Sequence, residues 1–277
     1  DKPWGVIALI GRKTATSRVR HLSASGGSGD DFPGLRLIGM LSVHNTKDVV
    51  FESLRLEANV KTDPSYDDMI HVVYSHGIVF RDLNLKRASS DALDIDLSEV
   101  QIRGGRIEAS GNDGIDSMTS TVLVDGVSIE YSGDKGISVG ERSYVSVFNT
   151  RLARNLIGAQ SKDQSDLRIL HSNLESNGIQ LSAYWKNWRY QSGGKIVADK
   201  VLLSGPSNKL SADKTSVVAI KDSGFSTKPE TDGAVTVDEF SDFDFHRNAR
   251  THQQSAIPLK TLEQIKPPLI GHQRGIQ

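Results

Sequence analysis

Ala92, Gly114, Gly136 and Gly158 stand 22 residues apart, and the sequence around them repeats with them as SDALDIDLS, SGNDGIDSMTS, YSGDKGISVGE and NLIGAQSKD. A fixed short period implies a stacked repeat, because one unit of this size cannot bury its own apolar face. Three apolar columns carry the same register. Phe51 and Phe80 are 29 apart, as are Leu56 and Leu85, after which Ile102 and Ile107 follow at 22. Val100, Val122, Val145 and Leu167 continue at 22, 23 and 22, and Ile107, Ile129, Leu152 and Leu174 repeat those spacings. The wide first interval is absorbed by a polar insertion at residues 57–68, and the columns survive one further single-residue insertion.

Helical repeats need about 33 or more residues per unit, and leucine-rich repeats a Leu-x-x-Leu-x-Leu frame; neither matches. Each unit here holds short alternating runs, such as Leu93-Asp94-Ile95-Asp96 and Val100-Gln101-Ile102, separated by turns rich in Gly, Asn, Asp and Ser. Alternation puts one face inside and one outside. A coil of three short strands per turn, with rungs roughly 4.8 Å apart, satisfies the pattern. With its SGNDGID and SGDKGIS turns, the chain resembles the right-handed parallel β-helix proteins of the pectate-lyase-like superfamily over about residues 37–225. The resemblance implies an all-β solenoid. We assign residues 1–223 to a parallel β-helix and residues 224–277 to an irregular C-terminal tail that packs on or caps it.

Before the regular rungs, residues 25–36 form a loop by composition, and residues 57–68 form a second. After Ser182 the period breaks at Tyr184–Tyr190, followed by rung-like segments at Lys195–Leu203 and Ser216–Ile220. Two stretches of the tail are distinctive: acidic and aromatic residues from Asp238 to His246, and a short amphipathic run at Pro258–Ile265.

With a net charge of −1 and 24% charged residues, no global basic field points to nucleic acid. The longest purely apolar run, Val6–Ile10, is far short of the roughly 20 residues that span a bilayer. No cysteine is present, which excludes disulfides and thiolate metal sites. The chain opens on Asp1 rather than Met, which fits a leader already removed and an extracellular or periplasmic location.

If Leu93 and Ile95, Ile115 and Ser117, and Ile137 and Val139 point inward, the residues between them point out. One exposed column then reads Ser42, His71, Asp94, Asp116, Ser138, Gln160, Gln180, and its neighbour His44, Val73, Asp96, Met118, Gly140, Lys162, Ser182. Turn positions before the strands supply Asp68, Asp91, Asp113 and Lys135. Mid-strand aspartate is depleted in sheets generally, so Asp94, Asp96 and Asp116 ask for a reason. Like charges stacked this closely disfavour full ionisation, so one carboxyl keeps its proton or a cation sits between them. The insertions at 25–36 and 57–68 both precede a strand of this face and are expected to wall a groove over it.

The superfamily resemblance implies an extended polysaccharide as partner. Hydrolysis needs one carboxyl as acid and another as base or nucleophile, for which Asp94, Asp96, Asp113 and Asp116, with His71, are the candidates. Polygalacturonases are similar in placing aspartates on successive rungs. Their downstream His-Gly and Arg-Ile-Lys elements are missing here, and His76-Gly77 lies upstream of the carboxylates. Elimination or epimerisation of a uronate is the alternative. It would use Ca²⁺ held by Asp94 and Asp116, with Lys135, Lys162 or Arg189 as cationic partners. Trp185 and Trp188, in the aromatic cluster after Ser182, are candidate substrate contacts. A third alternative is a non-catalytic glycan-binding or scaffold solenoid, since fold does not fix function.

Overall fold

In a computed structural model that describes residues 3–62 and 67–237, the chain winds into a parallel β-helix. Ten strands stack in strict sequence on one face, among them Gly39–His44, Asp68–Val73, Leu93–Asp96, Ile115–Met118, Lys135–Gly140, Ile157–Lys162 and Ile179–Tyr184. A second sheet wraps the other two sides of each coil. In the early rungs one bent strand covers both sides, as in Glu99–Glu108 and Thr121–Glu130. Later rungs split it, as in Tyr144–Phe148 and Arg151–Ala153. The apolar columns pair as their spacing requires: Phe51 lies opposite Phe80 and Phe80 opposite Ile102, while Val100, Val122, Val145 and Leu167 run in register.

The rungs turn their corners on one residue in the left-handed region, or on two in a row, as at Glu141–Arg142 and Asp163–Gln164. After the first strand these are Asn45, Tyr74, Leu97, Thr119, Glu141 and Asp163, all with φ between 45° and 57°. Further corners fall at Ser53, Asp82 and Asn149, and at Ala58, Arg87, Ala109, Tyr131 and Arg154. Such a φ costs a non-glycine residue roughly 1–2 kcal/mol. The cost is offset because the corner residue stays in the ladder: Leu97 N–H donates to Met118 O at 3.0 Å and Ala109 N–H to Glu130 O at 3.0 Å.

The bore is filled by the inward residues of all three sides in one continuous core, with the Phe51 and Phe80 rings stacked at 4.9 Å. Near the first corner the filling is polar. Ser75, Ser98, Ser120, Ser143 and Ser165 stack as a buried ladder, each hydroxyl accepting a backbone N–H from the rung before. The ladder satisfies backbone groups that would otherwise be orphaned by the bend, at no cost in charge.

Two expectations change. Residues 25–36 are not a plain loop: Asp30–Phe32 pairs with Leu35–Leu37 as an antiparallel hairpin. Pro33 sets the first turn position, and Gly34 at φ 77° takes the second, which only glycine adopts easily. Beyond Ser182 the rungs also continue further than the two segments read from sequence, through Lys209–Ala212, Glu230–Gly233 and Val235–Val237. The tail's Asp238–His246 and Pro258–Ile265 stretches lie outside the described residues, as do four residues of the 57–68 insertion.

Candidate functional site

The outward positions of the first sheet align as one ladder. Ser42 pairs with His71, His71 with Asp94, Asp94 with Asp116, Asp116 with Ser138 and Ser138 with Gln160. Leu93, Ile95, Ile115 and Ser117 take the interior, so the aspartates between them face out. The last rung is offset by two residues from the expected columns. Gln160 is followed by Ser182 and Lys162 by Tyr184. Gln180 instead continues the ruler of Ala92, Gly114, Gly136 and Gly158. It is fully buried there, accepting from Asn177 Nδ2 at 2.8 Å and donating to Asn208 Oδ1 at 3.2 Å.

This face is recessed rather than open. Ser42, His71, Ser138 and Gln160 are 0–6% exposed, while Asp94, Asp96 and Asp116 are partly exposed between them. Part of the cover is Lys162, whose chain lies back along Gly140 so that Nζ donates to Ser138 Oγ at 3.0 Å and stands 3.9 Å from Asp116 Oδ1. Asp116 Oδ1 also accepts the Ser117 N–H at 3.0 Å.

At the other end of the strip, His44 Nε2 and His71 Nδ1 share a hydrogen bond of 3.1 Å between edge-on rings. Burial, then the neighbouring His71, lowers the His44 pKa to about 4, so the His44 ring is neutral at ordinary pH. The far nitrogen of His71 points at two carboxylates, 3.5 Å from Asp96 Oδ2 and 3.8 Å from Asp94 Oδ2. Asp94 is pushed well above the usual carboxylate range by burial and then by Asp96, Asp68, Asp116 and Asp91. Sequence reasoning placed His44 in the neighbouring column but gave it no role; its position opposite Val73, next to His71, was the available signal.

The turn positions form a second acidic row. Asp68 Oδ1 accepts the Asp91 N–H at 3.3 Å, Asp91 Oδ1 the Asp113 N–H at 2.7 Å, and Asp113 Oδ1 the Lys135 N–H at 2.9 Å. These carboxyls are buried and bound to backbone, a structural task that a serine performs elsewhere in the same coil. Burial and the adjacent carboxylates raise Asp68 to about 8 and Asp91 to about 7, and raise Asp113 as well. Lys135 closes the row against Asp113 and Asp134, and these bonds raise its pKa although burial works the other way. Lys135 is thus spent inside the row. Asp113, 2% exposed, faces Lys135 rather than the strip.

Trp185, Trp188 and Arg189 sit on an arm that leaves the first sheet at Tyr184. Asp163 Oδ1 accepts the N–H groups of Lys186 and Asn187 at 2.8 Å each, and Asp213 Oδ2 accepts the Trp185 N–H at 2.7 Å. Arg142 lies over the Tyr190 ring at 5.5 Å. Trp188 is 80% exposed, Trp185 42%, and Arg189 is exposed. The arm leaves the strand one rung beyond Lys162 and runs back along the first corner, past Asp163 to Glu141 and Arg142.

Several solved structures are similar to this chain at low identity and low TM-score. Tailspike protein 2 of bacteriophage CAB120 is 12% identical with a TM-score of 0.37, covering 85% of this chain and 38% of its own. The Siphovirus 9NA tailspike receptor binding domain is 8% identical with a TM-score of 0.37, covering 74% and 52%. The catalytic domain of GH87 alpha-1,3-glucanase, solved in complex with nigerose, is 11% identical with a TM-score of 0.34, covering 88% and 59%. This chain therefore spans less than two thirds of the length of each. No curated protein matches it in sequence. Residues 41–196, which hold every rung from Ser42 to the arm, match the family model described as the right handed beta helix region. That match covers more than half of the chain, the stacked parallel ladders agree with it, and the protein belongs to the right-handed β-helix family.

Proposed function

We propose that the recessed strip is the active surface of a polysaccharide-processing enzyme that cleaves glycosidic bonds, acting outside the cytoplasm. One observation carries the reading: Asp94 and Asp116 are mid-strand, face out and lie directly opposite one another on adjacent rungs. Neighbouring parallel strands are about 4.8 Å apart, close to the separation of about 5–5.5 Å used by carboxyl pairs that cleave with retention. Asp94, whose proton is held by burial and by its acidic neighbours, serves as the acid that protonates the leaving oxygen. Asp116 is the second carboxyl, with Lys162 and Ser138 fixing its surroundings. Asp96 and His71 complete the wall on the Asp94 side.

The length of the strip supports a polymer. From His71 to Ser182 five rung steps place six outward residues in line, a run of roughly 24 Å at about 4.8 Å per step. The exposed Trp185 and Trp188 on the arm after Tyr184 offer flat apolar faces to sugar rings, and Arg189 on the same arm offers a charge.

The test is incubation with a panel of neutral and acidic polysaccharides, with and without chelator. New reducing ends without ultraviolet absorbance, lost in Asp94→Asn and Asp116→Asn, are expected. Unsaturated ends would replace hydrolysis by elimination, and tight binding without any product would reduce the protein to a glycan-binding solenoid.

A further inference from the structure

His71 is 6% exposed, and its Nε2 atom, shut off from solvent, makes no hydrogen bond. A buried ring nitrogen without a partner is costly and asks for an explanation. Its partner nitrogen is engaged: Nδ1 bonds His44 Nε2 at 3.1 Å. In the tautomer in which His71 Nδ1–H donates to His44, Nε2 carries a lone pair. That lone pair is aimed between Asp94 Oδ2 at 3.8 Å and Asp96 Oδ2 at 3.5 Å. One nitrogen and two oxygens, all within 4.8 Å of one another, converge there. Among the described residues no lysine or arginine pairs with Asp94 or Asp96.

We propose that His71 Nε2, Asp94 Oδ2 and Asp96 Oδ2 form a site for one divalent first-row transition ion of the zinc class. Donor atoms at about 2.0–2.2 Å from a tetrahedral ion lie about 3.3–3.6 Å apart; the two nitrogen–oxygen spacings of 3.5 and 3.8 Å are near that range, and the two carboxylates, whose oxygens lie within 4.8 Å, close on the ion by side-chain rotation. Two carboxylates balance the ion's charge, and the imidazole selects against Ca²⁺ and Mg²⁺, which favour all-oxygen sets. His44 supplies the outer bond that fixes the ligand ring's orientation. Asp116 falls outside the set, since its Oδ1 is turned to the Ser117 N–H and to Lys162. Three protein ligands leave one position free toward the strip, as catalytic rather than structural zinc sites do.

Binding would displace the proton that Asp94 holds in the metal-free protein, so the ion-loaded site and acid catalysis by Asp94 are mutually exclusive states, and the site is tested without cleavage. Chelator-stripped protein is titrated with Zn²⁺ by calorimetry and with Co²⁺ by visible absorption, alongside Ca²⁺ and Mg²⁺. One ion per chain is expected for Zn²⁺ and Co²⁺, with the absorption of a low-coordinate cobalt centre and no displacement by a hundredfold excess of Ca²⁺. His71→Ala and Asp96→Asn should each weaken binding at least tenfold. Asp96 is at the strip's partly exposed edge, so its variant tests the site even where removal of the buried ring disturbs the fold. Absence of binding, binding untouched by both variants, or equal displacement by Ca²⁺ would each overturn the proposal.

Discussion

Asp94 and Asp116 occupy paired positions on adjacent parallel strands, Leu93–Asp96 and Ile115–Met118, with apolar or small inward neighbours on both sides. Nothing in the coil requires a carboxyl at either place, since Ser42 and Ser138 fill the same column without charge. Asp94→Asn and Asp116→Asn are therefore expected to leave the circular dichroism spectrum and melting temperature close to those of the parent. Cleavage should fall by about 10²–10⁴-fold, the range for loss of a positioned acid or base. Full activity in both variants would move the active surface elsewhere.

The turn row predicts an unusual pH dependence of stability. Asp68 and Asp91 have folded-state pKa values of about 8 and about 7 against 3.8 in the unfolded chain. Between those limits the folded state holds more protons than the unfolded state. Stability therefore falls as pH rises through this window, the reverse of a salt-bridged aspartate. His44 acts in the opposite sense, being neutral when folded, but only below its unfolded value of 6.5. From pH 7 to 8.5 His44 no longer contributes, Asp68 and Asp91 act in the same direction as the raised Asp94 and Asp113, and melting temperature should drop. Asp91→Asn keeps a carbonyl to accept the Asp113 N–H while removing the buried charge. It should flatten that slope and raise stability at pH 8 by about 1–2 kcal/mol. A melting temperature independent of pH in this range would show that the row shares its load differently.

Much of this architecture is legible in the spacing alone, because a stacked coil buries the same positions at every turn. The 22-residue columns through Val100 and Ile107 give strand pairing directly, and the side on which Asp94 and Asp116 emerge follows from alternation. Depth does not follow. Alternation tells which way a residue points but not what lies over it, and Lys162 reaching back to Ser138 is a contact between rungs that no local pattern encodes. Gln180 was set in the wrong column because a buried glutamine reads as a surface residue. Its place at the polar turn, where Asn177 and Asn208 satisfy it, is a tertiary arrangement. The His44–His71 contact runs diagonally between two correctly aligned columns, and register alone does not tell that the two rings meet.

The core should be least tolerant where large rings stack. Phe51 and Phe80 are fully buried, 4.9 Å apart, in the early rungs of the coil. Phe80→Ala removes a ring sandwiched between Phe51 and Ile102 and leaves a cavity that the fixed rung spacing cannot close. A loss of about 3–5 kcal/mol in denaturant unfolding is expected. A loss under about 1 kcal/mol would mean that the early rungs repack.

Gly140 provides the sharpest test of the role of Lys162. The glycine lies in a strand with no need of a left-handed φ, so alanine suits its backbone. A Cβ there would stand 2.5 Å from Lys162 Cε, 3.3 Å from Cγ and 3.5 Å from Cδ. The methyl group and the lysine cannot occupy the same space, and the flexible side chain is the partner that gives way. Gly140→Ala should therefore swing Nζ off Ser138 and away from Asp116 while stability stays level or rises slightly, as replacing a strand glycine usually does. Cleavage should fall about as far as in Lys162→Ala. The double variant should be no worse than either single one, because both remove the same contact. Additive losses would mean that Gly140 serves the strip in some way other than by making room for the lysine.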